Sequence, residues 1–240
     1  MSGDPVASSE SAPVRAWRCP LAGLVLCSTF AAGLSFDLWT KYWSFENVAP
    51  EPVALTPGLL VENPDYRLPW HPGVEVVPPD LLDFHLVLNR GAVFGIGQHR
   101  RGVFIALTVV AVVAGLAVFA GWTDRRSRLS HVAIGLVLAG GVGNLYDRFL
   151  YGAVRDFLHM LPRRHLPFDL AWPGGSTELF PWVFNVADVL LLAGMALLMF
   201  QAYRADRSAA REARESGVAS RSSGPSVSGN SSSGRASDSS

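Results

Sequence analysis

The hydrophobic residues of this chain fall into four long runs, each closed by charge. Between Arg18 and Asp37 lie 18 residues without Asp, Glu, Lys or Arg, between Arg101 and Asp124 there are 22, and between Arg128 and Asp147 again 18. The fourth run, Phe180–Phe200, reads FPWVFNVADVLLLAGMALLMF and holds one acid. A helix rises about 1.5 Å per residue and needs about 20 apolar residues to cross a hydrocarbon core of about 30 Å. The pattern therefore predicts four membrane-spanning helices, the first and third only just long enough. The fourth carries an anomaly. From Val189 to Tyr203 there are 15 residues before Arg204, about 22 Å of helix, which is too short. The span must recruit the FPWVFNVAD end, and this brings Asn185 and Asp188 to the membrane edge. An acid at that depth is costly and marks a functional candidate; its simpler reading is a helix N-cap.

Between the runs the pattern changes. Residues 39–100 are proline-rich (Pro50, Pro52, Pro57, Pro64, Pro69, Pro72, Pro78 and Pro79) and then give DFHLVLNRGAVFGIG. FHLVLN predicts a strand and NRGAVFGIG a glycine-bearing turn, together a small extracytoplasmic β element on the membrane surface. Residues 204–215 predict a polar helical extension. Residues 216–240 hold twelve serines in 25 and are expected to be disordered, as is the N-terminal MSGDPVASSESAP. The expected organisation is a cytoplasmic N-terminal tail (1–17), a four-helix membrane domain (18–203) with outer loops at 39–100 and 152–180, and a polar, Ser-rich cytoplasmic tail (204–240). The first run also fits a signal peptide, but it continues straight into FDLWTKYW, which has the aromatic character of a membrane interface.

Composition agrees with a membrane protein: 49% hydrophobic, 17% charged, mean hydropathy +0.25. The net charge is zero, so no nucleic-acid footprint shows. Cys19 and Cys27 share one apolar run and offer neither a disulfide framework nor a zinc spacing. Nineteen of the twenty basic residues are arginine and only Lys41 is lysine, which asks whether that site needs a compact ammonium. The arginines at 15, 18, 125, 126, 128, 204, 207, 211 and 214 flank what alternation makes one side of the bundle. Their density puts both termini in the cytoplasm, against Arg163 and Arg164 on the other side.

Alternating spans bring the unusual polar residues to one end. Asp37 and Lys41 end the first span there, Asn144, Asp147 and Arg148 the third, Asn185 and Asp188 begin the fourth, and Asn89 and Asp156 lie in outer loops. Asp37 and Lys41 have the i, i+4 spacing of a helix salt bridge. Asn144, Asp147 and Arg148 can share a helix face, and Gly140, Gly141 and Gly143 allow another helix to approach closely. Asp156 and Asp188 remain as a carboxylate pair that would share a proton and work as acid and base on a water. Neither a G-x-S-x-G nor an H-E-x-x-H motif occurs. His159 reads as an interfacial histidine. A small ion-coupled carrier using the same acids and a non-catalytic assembly subunit are the alternatives, although no internal repeat supports a carrier.

FDLWTK, NRGAVFGIG, GGVGNLYDRFLYGAVRDF and FNVAD, in this order, resemble the signal peptidase II (bacterial lipoprotein signal peptidase) family over residues 18–203. The resemblance implies an all-α, four-helix membrane bundle with a small extracytoplasmic β-cradle and long outer loops. It implies an aspartic endopeptidase of the bacterial inner membrane, monomeric and without cofactor or metal. Its substrate would be a prolipoprotein already carrying diacylglyceryl, cut just before the lipid-bearing cysteine at a site facing outward. By matching motifs, Asp156 and Asp188 are the catalytic pair. Asp37, Lys41, Asn89, Gly91, Asn144, Asp147, Arg148 and Asn185 match supporting or substrate-binding positions, with Asn89 expected to fix the substrate backbone and Lys41 to meet a lipid headgroup or tie down the first span. This chain departs from the family pattern in its two long outer loops, in GAVF for the commoner GAAF, and in Arg155, where an apolar residue is common. A guanidinium pointing at Asp156 would favour its ionised form.

Overall fold

The computed structural model describes residues 15–91 and 101–222. The helices are α1 (Pro20–Asn47), the short α2 (Leu59–Glu62), α3 (Arg101–Trp122), α4 (Arg128–Leu150) and α5 (Val186–Ser222). All but α2 contain a stretch long and apolar enough to cross a membrane. Four strands, β1 (Val74–Val77), β2 (Leu82–Asn89), β3 (Val154–Met160) and β4 (Val183–Phe184), form one antiparallel sheet in that order. Four apolar helices with a small sheet agree with the expected bundle and β element, while the all-α label leaves out the four strands. FHLVLN lies in β2 as predicted. β3, VRDFLHM, is hidden in the sequence because charged residues interrupt its alternation.

The helices show why the chain belongs in lipid. On α3, Leu107 is 60%, Val110 65% and Val113 60% exposed, an apolar surface that water would not tolerate at this extent. α4 is the centre of the bundle. Its glycines and alanines let two neighbours approach: Gly135 meets the Leu26 carbonyl and Thr29 of α1, Ala139 lies against Gly33 of α1, and Gly140 lies under Ala187 and Leu191 of α5. A second core of Phe45, Val48, Ala49, Val53, Leu86 and Phe157 joins the end of α1 to the inner face of the sheet.

Several boundaries differ from the sequence reading. α1 runs past Asp37 to Asn47, because the charges of Asp37 and Lys41 are cancelled inside the bundle instead of ending the helix at water. Phe180–Phe184 do not join the fourth helix; Val183 and Phe184 pair with His159 and Leu158, and the helix starts at Val186. α5 continues to Ser222, beyond the predicted end at residue 215, through a stretch rich in the helix formers Arg, Ala and Glu. From Phe200 on the chain forms a second unit, in which Arg207 donates to the Tyr203 hydroxyl at 3.1 Å. Residues 15–17, expected in the N-terminal tail, are ordered: the Ala16 N–H donates to the Thr123 carbonyl at 2.9 Å and Ala16 is fully buried. The turn from Ala92 to Gly97 lies outside the described residues.

The glycines of α4 give a graded test. A Cβ at Gly143 would fall on Asp37 Oδ2 and one at Gly140 on the Ala187 carbonyl, whereas at Gly141 it would meet only Val112 and Thr108 at 3.7 and 3.8 Å. Gly140→Ala and Gly143→Ala are expected to lower stability by roughly 1–3 kcal/mol, and Gly141→Ala to change it by less than about 0.5 kcal/mol. Thermal unfolding in detergent measures this; three equal midpoints would refute the packing.

Candidate active site

The polar residues singled out in the sequence meet at the junction of α1, α4, β3 and the start of α5. Asp37, Lys41, Asp147 and Asn185 are fully buried, Asp156 is 1% exposed, and Asn144 is 7% exposed. Lys41 Nζ donates to Asp37 Oδ2 at 2.8 Å and to Asn144 Oδ1 at 3.0 Å, and lies 3.4 Å from Asp147 Oδ2. An ammonium has three donors, and here it has three acceptors. This accounts for the single lysine and corrects the lipid-headgroup reading, since no surface of Lys41 is left for lipid. Asp37 Oδ1 in turn accepts the Ala187 N–H at 2.8 Å, tying α1 to the first turn of α5.

Asp147 is held by a residue whose target the sequence leaves open. Arg155 donates from Nε and Nη2 to Asp147 Oδ1 at 3.2 and 2.8 Å, and its backbone N–H donates to Asp147 Oδ2 at 3.0 Å. The guanidinium also stacks on Tyr151, 4.8 Å from the ring centroid. Successive strand residues point to opposite faces, so Arg155 turns away as Asp156 turns in, and it does not act as the neighbour of Asp156. The same alternation puts His159 on the other face, where Nε2 is 3.3 Å from Glu178 Oε2. Two acids, Asp37 and Asp147, are thus matched by two bases, Lys41 and Arg155, and the acids left at this junction are the buried Asp156 and the partly buried Asp188.

These two are linked through amides. Asp156 Oδ1 accepts from Asn185 Nδ2 at 2.5 Å and Oδ2 from Asn89 Nδ2 at 2.9 Å. Asn89 pairs with Val154 and Val87 with Asp156 across β2 and β3, so Asn89 and Asp156 are diagonal neighbours on one face. Asn89 therefore orients an acid, whereas the sequence reading gave it the substrate backbone; its Oδ1 also accepts the Gly91 N–H at 3.1 Å. Asp188 Oδ1 accepts from Asn144 Nδ2 at 2.8 Å. Asn185 and Asp188 form a reciprocal cap: each backbone N–H donates to the other's side chain, both at 3.2 Å. Asp188 is therefore both a capping residue and a partner of the Asn144 amide. Arg148 lies at the rim, with Nη2 3.4 Å from the Gly91 carbonyl and its guanidinium over Phe104. Burial first, then the negative charge of Asp188, pushes the Asp156 carboxyl up to about 7, against hydrogen bonds from Asn89 and Asn185 and the charge of Lys41. Among the described residues no cluster of His, Cys, Asp and Glu could hold a metal ion.

Residues 29–204 match the family model for signal peptidase (SPase) II. The chain belongs to the signal peptidase II family. It is 33% identical to the lipoprotein signal peptidase of Symbiobacterium thermophilum over 141 residues, 59% of this chain and 82% of that one. It is 36% identical to that of Syntrophotalea carbinolica over 157 residues, 62% of this chain and 83% of that one. Its fold is similar to that of a bacterial membrane enzyme solved by the in meso method at 2.3 Å resolution, with a TM-score of 0.53 and 22% identity over 81% of this chain and 93% of that one. Signal peptidase II membership and the four apolar helices make the chain a multi-pass membrane protease. The carrier reading finds no support in these matches.

The three acceptors around Lys41 predict that charge alone will not suffice. Lys41→Met, which leaves Asp37 unpaired, is expected to destabilise by about 3–5 kcal/mol. Lys41→Arg, with a planar fork in a space shaped for an ammonium, is expected to lower both the unfolding midpoint in detergent and substrate cleavage. Wild-type behaviour of Lys41→Arg would overturn the three-acceptor account.

Proposed function

We propose that the chain is an intramembrane aspartic endopeptidase that removes signal peptides from diacylglyceryl-modified prolipoproteins, using Asp156 and Asp188. The observation that carries this reading is the bridge through Asn185, whose side chain holds Asp156 while its backbone N–H holds Asp188. The negative charge of Asp188 acts on Asp156, and two carboxylates coupled in this way are read as sharing one proton. Burial favours the proton on Asp156, which is 1% exposed. Asp188 is only partly buried and stands in the first turn of α5, where the helix N-terminus favours negative charge and water has access.

In the proposed reaction Asp188 takes a proton from a water, whose oxygen attacks the scissile carbonyl carbon. Asp156 gives its proton to the carbonyl oxygen, forming a gem-diol. The C–N bond then breaks, the leaving nitrogen takes the proton from Asp188, and Asp156 recovers a proton from a gem-diol hydroxyl. The amides of Asn89, Asn144 and Asn185 fix the two acids, and the guanidinium of Arg148 stands within electrostatic reach of both.

The substrate's acyl chains would remain in lipid, with its peptide under the sheet. In this reading the sheet and the dyad lie at the outer face of the bacterial inner membrane, with both termini in the cytoplasm. Support comes from the arginines beside the opposite helix ends. Arg163, one of the two exceptions on the outer side, is paired with Asp80 and with Asp83 at 2.9 Å, so its charge does not count as a free cytoplasmic signal. The domain is read as a monomer with the Ser-rich tail appended.

Asp156→Asn and Asp188→Asn are each expected to lower prolipoprotein cleavage at least about 1,000-fold while leaving a folded protein in the membrane; processing in cells lacking their own enzyme reads this out. Because Asp156 carries its proton below a pKa of about 7, the rate should fall as pH rises through that value. A rate that holds level well into alkaline pH would contradict the assignment of Asp156 as the acid.

A further inference from the structure

Arg155 is the buried charge for which the reaction has no direct use, and it stands where the chain departs from the family pattern. Its guanidinium and its backbone N–H both go to Asp147, so one residue joins the start of β3 to the last turn of α4 by three hydrogen bonds. The next residue along the strand is Asp156. We propose that Arg155 is a positioning residue of the dyad: it holds β3 against α4 and, by occupying Asp147, leaves Lys41 free to orient Asn144 toward Asp188. This rests on the dyad reading above and deepens it.

The distances carry the second half of the claim. Lys41 stands between two acids but sits nearer one of them, 2.8 Å from Asp37 and 3.4 Å from Asp147. Asp147 tolerates the longer contact because Arg155 reaches it at 2.8 Å. Lys41 can then spend a donor on Asn144 Oδ1 at 3.0 Å, which also accepts from Asn185 Nδ2 at 3.1 Å. With two donors on its oxygen, the Asn144 amide has one orientation, and its NH2 faces Asp188 Oδ1 at 2.8 Å. Without Arg155, Asp147 would be a buried, half-paired carboxylate. Such a group draws in the nearest cation, which is Lys41, and the amide loses the donor that fixes it. The charge balance changes as well, since an uncompensated Asp147 adds negative charge beside the dyad.

Steady-state cleavage of a synthetic diacylglyceryl prolipoprotein by the purified full chain in detergent tests this, with Asp156→Asn run in parallel. Arg155→Met is expected to lower kcat on the order of 10- to 100-fold, the usual effect of a small misplacement, with KM changed less than about threefold. The alkaline limb of its pH profile should move up by roughly half a unit or more, because the added negative charge holds the proton of the dyad. Arg155→Lys keeps the charge and loses the fork, so its limb should stay in place while kcat falls only several-fold. A purely structural role would lower the yield of folded protein but leave kcat per folded molecule and the limb unmoved. That result, or wild-type kinetics in Arg155→Met, overturns the proposal. Where Arg155→Met does not fold, Arg155→Lys decides: a lowered kcat with an unmoved limb supports the proposal, and a wild-type kcat overturns it. Cleavage by Asp156→Asn would instead bring down the dyad reading, whatever the Arg155 variants do.

Discussion

Taking a charge out of water costs several kcal/mol per ion unless a partner stands within a few ångströms, and this structure gathers most of its buried charges at one end of α4. The rest of the arrangement follows from that constraint. Asp147 must be met by Lys41 and Arg155, so α1 and β3 must both reach the end of α4. Asp37 must be met by Lys41 and by the Ala187 N–H, so the first turn of α5 is drawn to the same point. Gly143 leaves the room that Asp37 Oδ2 fills and Gly140 the room that Ala187 fills. Helix packing and charge matching are one requirement here, because a bulkier α4 would separate the ions it has to bring together.

Asparagines then convert that rigid frame into a site. An amide accepts on one side and donates on the other, so it can pass orientation from an ion pair to an acid without passing charge. Asn144 accepts from Lys41 and donates to Asp188; Asn185 caps α5, donates to Asn144 and holds Asp156. The paired ions stay behind the amides, and the two acids in front of them keep a charge that their own protons can adjust.

The sequence made the four spans and the meeting of polar residues at one end legible, because hydrophobic run length and alternation of direction are strictly imposed by a bilayer. Asp37 with Lys41 was readable from i, i+4 spacing. β3 was not, since its core side chains, Val154 and Phe157, share the strand with Arg155 and Asp156 and break the period. The target of Arg155 was also hidden: Asp147 lies eight residues back across a chain reversal, and nothing local signals that contact. The signal available was strand alternation, which sends adjacent residues to opposite faces and could have turned Arg155 away from Asp156. The boundary of the fourth helix was misread because residue counting treated Phe180–Phe184 as span, when apolar residues before a helix can equally form a strand edge.

That boundary explains the unequal acids. Had the helix begun at Phe180, Asp188 would lie well inside it, with its own N–H and its neighbours' N–H groups used by the preceding turn. Because the helix starts at Val186, the backbone N–H groups of Asn185, Val186, Ala187 and Asp188 have no partner four residues earlier within the helix. Three of these four are taken up by Asp188 Oδ2, Asp37 Oδ1 and Asn185 Oδ1. Asp156 sits on a strand whose backbone groups are committed to the sheet ladder, so it can rely only on side-chain donors and remains the drier of the two. A helix end and a strand edge thus give two identical side chains different surroundings, which is the condition for one to act as acid while the other acts as base.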